Sequence, residues 1–246
     1  MLYAIDGDGE KVPAAPGAHG ACPECLTAVQ PKCGEIKIWH WAHKPRATCT
    51  YSDGETDWHL SWKKLVVPAA CEVKIGNHRA DIVGNKGIVI ELQASPIDPG
   101  TIAERERHYG EMLWVFNAFP FAANVDLREK GDFLSFRWKW PRLSMSHCEA
   151  PIFWDFGIWP RQPRAMVKAA PEPKRVEMLR VKKLGNETPC GGWGTRLTKQ
   201  GFIWKYLSDW LPGKAVVSSK AERREMDDIS QILIAALEEE ERAKAG

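Results

Sequence analysis

CEVKIGNHRADIVGNKGIVIELQAS, residues 71–95, reads as three short strands joined by two tight turns. Val73, Ile75, Ile82, Val83, Ile88, Val89 and Ile90 are β-branched residues of the kind strands favour. Gly76-Asn77 and Gly84-Asn85-Lys86-Gly87 supply residues that tolerate positive φ in turns. A two-residue turn at Gly76-Asn77 sets Ile75 against His78 and Glu72 against Asp81. A three-residue loop, Asn85 to Gly87, then sets Asp81 against Glu91, and alternation puts Gln93 on the side of Glu91. Three carboxylates would share one face of the sheet, where directly opposed like charges are destabilising. The arrangement asks for a counter-charge. A divalent cation is one candidate; on a solvated face, Lys74 and Arg79 would pair with the acids at little energetic consequence.

Upstream, Cys22-Pro-Glu-Cys25 has the spacing of a metal knuckle, and Gly34 to His40 alternates like a strand that leads into His40 and His43. Cys22, Cys25, His40 and His43 would satisfy a closed tetrahedral zinc site, structural because no position stays open. The short histidine spacing fits a ribbon-like hairpin better than a helical finger. Zinc would stabilise a segment too small to bury a core alone. Cys33, Cys49 and His19 are alternative ligands.

Residues 55–65 follow with helical spacing, since Trp58, Trp62 and Leu65 form one apolar stripe. Thr56 or Asp57 can cap the start, and His59 and Lys63, four apart, lie together beside the stripe. After the three strands, Pro99 suits the first turn of a second helix and Thr101 with Glu104 makes a capping-box pattern. Arg105 and Tyr109 share a face of that helix, and Leu113–Phe116 reads as a buried strand. The elements run α-βββ-α-β.

The motifs Cys22-x-x-Cys25, His40-Trp-Ala-His43-Lys44, Trp58-His59-Leu-Ser-Trp62-Lys63, Arg79-Ala-Asp81, Glu91-Leu-Gln93-Ala-Ser95 and Arg105 with Tyr109, in that order, resemble the competence protein CoiA-like family. The resemblance spans roughly residues 20–117. It implies a mixed α/β fold: an α-βββ-α-β restriction-endonuclease-like core of PD-(D/E)XK type, behind a small zinc-ribbon-like N-terminal module. In such a core an Asp and a Glu hold Mg²⁺ or Mn²⁺, and a Lys two residues after the Glu assists the attacking water. Carried over, Asp81 and Glu91 become the Mg²⁺ or Mn²⁺ ligands, with a backbone carbonyl near Leu92 as a further oxygen donor. Gln93 stands where the lysine is expected; its neutral amide can orient a water or bond a phosphate oxygen. Glu72 would ligate a second ion or position the water. Strand parity groups Lys74 and Arg79 with Glu72 and Asp81, which makes Lys74 the replacement lysine and Lys63 the second choice. His59 and Lys63 would face the DNA phosphate or the water. Arg79, Arg105 and Tyr109 are the expected nucleic-acid contacts.

Composition bounds the reading without deciding it. The 246 residues are 44% hydrophobic and 27% charged, as in ordinary globular proteins, and the net charge of +2 argues no general affinity for nucleic acid. Neither a signal peptide nor an apolar run long enough for a bilayer is legible, so no membrane partner is expected. Seven cysteines, two of them as Cys-x-x-Cys, suggest a reducing cytoplasm and metal-ligating thiols. The expected organisation is a zinc-ribbon-like module over 1–50, the nuclease-like core over 51–157, a linker over 158–174, and a C-terminal helical region over 175–246. Residues 202–211 read as a short amphipathic helix. Residues 219–244 read as a longer one, whose stripe of Met226, Ile229, Ile232, Leu233 and Leu237 suits core, a protein partner or self-association. Among the tryptophans, Trp138 and Trp140 lie near basic residues and are candidates for base stacking. Two functions compete. One is a metal-dependent DNA nuclease linked to DNA uptake, recombination or defence; the other is a catalytically inactive zinc-containing nucleic-acid-binding or recombination accessory protein.

Overall fold

A computed structural model describes residues 1–44, 48–49, 51, 55–157, 176–185 and 189–212. Five short strands open the chain: β1 (Tyr3–Ile5), β2 (Lys11–Pro13), β3 (Gly20–Ala21), β4 (Ala28–Lys32) and β5 (His40–Ala42). They form one antiparallel sheet of order β2-β1-β3-β4-β5 around Met1, Ala4, Ala14, Cys22, Val29 and Trp41. Helix α1 (Asp57–Lys63) follows, started by Thr56, whose backbone N–H donates to His59 Nδ1 at 3.1 Å. His59 therefore closes a capping box, a role usually taken by Glu or Gln.

Next come β6 (Cys71–Ile75), β7 (His78–Val83) and β8 (Val89–Gln93), then helix α2 (Pro99–Tyr109) and strand β9 (Met112–Asn117). Both turns form as their residues dictate. Ile75 pairs with His78 across Gly76-Asn77, and Ile82↔Ile90 and Val83↔Val89 pair across the Asn85–Gly87 loop. Helix α2 starts three residues earlier than a Thr101 cap implies: Asp98 is the cap, accepting from the Thr101 N–H at 2.9 Å, and Pro99 is its first residue.

A hairpin of β10 (Val125–Lys130) and β11 (Phe133–Trp138), then β12 (Ile152–Asp155), β13 (Met178–Leu184), β14 (Gly191–Leu197) and helix α3 (Lys199–Leu207), complete the described chain. Nine strands make one sheet, ordered β10-β11-β14-β13-β12-β9-β8-β7-β6, with β9 parallel to both β8 and β12. Two apolar layers cover it. Ile102 of α2 packs with Trp114, Phe116, Trp138 and Trp154 on one face; Trp58 and Trp62 of α1 pack with Ile82, Ile90, Phe153 and Phe202 on the other. Strand β9 is buried from Met112 to Phe116, as expected for a strand covered on both faces.

The fold is thus mixed α/β and dominated by sheets, and Met1–Pro212 form one compact unit. The helical region expected over 175–246 does not hold for its described residues up to 212: β13 and β14 are central strands of the large sheet and belong to the same unit as the strands before residue 157. Gly191, Gly192 and Gly194 hid β14, because glycine is a poor strand former. They are required by close approach: a Cβ on Gly194 would sit 2.5 Å from the Arg180 carbonyl oxygen, and one on Gly192 would collide with that of Lys183. The 158–174 linker and the 219–244 helix lie outside the described residues. Among the described residues no helix is long and apolar enough to cross a membrane.

A buried acid fixes α1 on the sheet. Asp155, at the end of β12, is 1% exposed, and its Oδ2 accepts from the indole N–H groups of Trp58 at 2.9 Å and Trp62 at 2.8 Å. Lys199 stands 3.7 Å from the same oxygen. Asp155→Asn is expected to cost about 2 kcal/mol in urea unfolding, since hydrogen bonds to a buried charge are the stronger kind.

Candidate functional site

Four potential metal ligands meet at the N-terminal sheet: Cys22, Cys25, His43 and Cys49, with ligand atoms all within 4.8 Å of one another. This set could hold a metal ion such as zinc. The Thr27 hydroxyl, then the Thr27 N–H, hold the Cys25 thiol down to about 6, while burial pushes Cys22 up to about 11. The expected ligand His40 is absent from the set and Cys49 takes its place. The reason is strand geometry: β5 is extended, so residues three apart point to opposite sides. His40 instead bonds the Ile38 carbonyl through Nδ1 at 2.7 Å.

The acids of the 71–95 stretch gather around a lysine from α1. Lys63 is 4% exposed, and its ammonium contacts Asp81 Oδ1 at 2.9 Å, Glu72 Oε1 at 3.2 Å and Glu55. Burial works against its charge, but Asp81, Glu72 and Glu55 overrule that and hold its pKa well above the ordinary value. The β7–β8 ladder ends at Ile82↔Ile90, and just beyond it Asp81 Oδ2 accepts the Leu92 N–H at 2.9 Å. His59 stands against the Leu92 carbonyl; burial lowers its pKa and Asp81 raises it, with burial winning.

Glu91 is fully buried and ion-paired with Arg105 of α2. Burial first, then the charge on Asp81, lift its pKa to about 7 against the pull of Arg105. The Tyr109 hydroxyl is buried beside it. Glu91 Oε1 and Glu72 Oε2 are buried with no hydrogen-bond partner among the described residues. A carboxyl held protonated when folded stabilises below its unfolded value, and that contribution is lost as pH rises through about 7. Glu91→Gln should therefore gain on the parent chain between about pH 5 and about pH 8, by about 1–3 kcal/mol in urea unfolding. A pH-independent difference would mean that Glu91 is ionised throughout.

Several expected placements change. The three acids divide between two cations: Glu72 and Asp81 pair with Lys63, and Glu91 with Arg105, while Asp81 stays close enough to act on Glu91. Cys71 belongs to the α1 layer, so alternation would send Glu72 to the opposite layer. Glu72 has φ 52°, a left-handed conformation that reverses its side chain and ends the parity that grouped it with Lys74 and Arg79. Lys74 is accordingly exposed and points at Glu24, 3.6 Å away, leaving Lys63 as the lysine at the acids. Arg79 is not a free nucleic-acid contact, because Glu24, Pro23 and the Glu72 carbonyl engage it. Gln93 donates its amide to the Ser95 carbonyl at 2.8 Å. Trp138 is 1% exposed and cannot stack on a base, whereas Trp140 is 65% exposed with the Lys139 ammonium 4.5 Å from its ring centre. Sequence reasoning missed Glu55 and Asp155. The lone charge ending the apolar run Ile152–Trp154 was the available signal for Asp155.

Residues 19–52, which span all four members of the Cys/His cluster, match the family model for the competence protein CoiA, N-terminal domain. Over these residues the chain is similar to a CoiA N-terminal domain. The match ends before α1, so it covers the metal-ligand cluster and none of Glu55, Glu72, Asp81 and Glu91. No curated protein and no solved structure gives a significant match.

Proposed function

We propose that this CoiA-like protein is a metal-dependent DNA nuclease with a PD-(D/E)XK-type site, acting in a competence-related process such as DNA uptake or recombination. One observation carries the reading. In an α-βββ-α-β succession, Asp81 and Glu91 stand just past the end of the β7–β8 ladder, with a buried lysine beside Asp81. The orphaned oxygens of Glu72 and Glu91 support a cation at this place, since buried carboxylate oxygens are ordinarily satisfied. Asp81 and Glu91 would hold Mg²⁺ or Mn²⁺, which supplies the charge that polarises a phosphate and acidifies a water. Lys63 fixes the carboxylates of Asp81 and Glu72 and offsets their charge. Arg105, one-third exposed, can leave Glu91 for a phosphate oxygen. The Cys22, Cys25, His43 and Cys49 set would hold structural zinc.

The alternative is a catalytically inactive DNA-binding accessory protein. Gln93 favours it, because this amide is turned back on Ser95 and brings no charge to the site. Incubation of supercoiled and linear DNA with the protein decides between them. Cleavage that needs added Mg²⁺ or Mn²⁺, and that Asp81→Asn and Glu91→Gln each abolish, is the expected result. Cleavage surviving both substitutions would remove the assigned site; DNA binding without cleavage under any metal would establish the accessory role.

A further inference from the structure

We propose that the Cys22–Cys25 knuckle sets the conformation of Glu72 through Arg79, so that metal loading at the knuckle and the carboxylate cluster at Lys63 are linked. Glu72 sits in a backbone region that non-glycine residues rarely adopt, and such a conformation persists only where its surroundings hold it. Its carbonyl is gripped by Arg79 Nη1 at 3.0 Å and Lys11 Nζ at 3.2 Å. The other prong of the same guanidinium, Nη2, donates to the Pro23 carbonyl at 3.3 Å and to Glu24 Oε2 at 2.8 Å. Pro23 and Glu24 are the two residues between the paired cysteines. The guanidinium also lies 5.1 Å from the centre of the Tyr51 ring, two residues beyond Cys49.

A planar fork spans the two sites in a way a lysine ammonium cannot. The left-handed turn that Arg79 stabilises is what brings the Glu72 carboxylate to Lys63. An ion that fixes the knuckle therefore favours this conformation of Glu72, and by linkage the conformation favours the ion. Arg79 is a positioning residue, acting on the acids through the backbone. The inference rests on the knuckle's holding an ion and is independent of DNA cleavage.

Amide hydrogen exchange on the full chain tests it, with zinc content measured first and residues 112–117 as internal reference. Zinc removal with a chelator should speed exchange across residues 71–75 by about five-fold or more while the reference strand is unchanged. Glu24→Gln and Arg79→Lys should each speed it in the zinc-loaded protein and weaken zinc binding, and the double variant should add nothing. Exchange over 71–75 that ignores zinc, or single effects that simply add, overturns the link; protein that takes up no zinc overturns its metal half. Should Arg79→Lys fail to fold, Glu24→Gln carries the comparison, because Glu24 is exposed and lies outside the sheet that contains Glu72.

Discussion

Lys63→Met is expected to destabilise the protein by about 3–5 kcal/mol near neutral pH, the usual cost of removing one partner from a buried charge cluster. The substituted side chain fits the space, so the loss is electrostatic. Asp81, Glu72 and Glu55 would be left facing one another without the ammonium that holds them. The pH dependence separates this from a packing defect. Without Lys63 the three negative charges repel one another, and protonation relieves that repulsion, so the deficit shrinks in acid and grows as pH rises. Urea unfolding at several pH values measures it. A deficit constant with pH would show that Lys63 acts through its methylenes. Partial recovery with Mn²⁺ would show that a divalent cation can replace the ammonium as counter-charge.

Cys49→Ser is expected to weaken zinc binding by about 100-fold or more, and His40→Ala by less than about three-fold. Both follow from the geometry at β5, which directs His43 to the two knuckle cysteines and His40 to the Ile38 carbonyl. Competition with a chromophoric chelator reads the difference directly. Zinc lost from His40→Ala and retained by Cys49→Ser would restore the ligand set that the histidine spacing suggests.

The hairpins of the 71–95 stretch were legible because turn residues and β-branching are local properties, and the Ile75↔His78 and Ile82↔Ile90 registers follow from loop length alone. Glu72 was not legible. Its positive φ is imposed by Lys11 and Arg79 on its carbonyl, and one of these lies more than sixty positions away. The same distance problem left Cys49 one of three alternative ligands until the fold returned it to the knuckle, and it hid β14, whose glycines answer to the carbonyls of β13. At the carboxylates, the sequence indicated which acids would lie near one another. Which cation would sit among them depended on α1, whose placement rests on two indoles and Asp155.

The order of the nine strands also bears on how the chain is made. Strands β12 and β11 lie on either side of β13 and β14, which are synthesised after both. Until residue 197 has left the ribosome, two apolar strands expose unpaired backbone edges, a state open to wrong pairing. Long-range closure of this kind slows folding. A chain ended after residue 157 would carry every acid discussed above and still present both edges to its neighbours, so it is expected to aggregate rather than yield a working fragment.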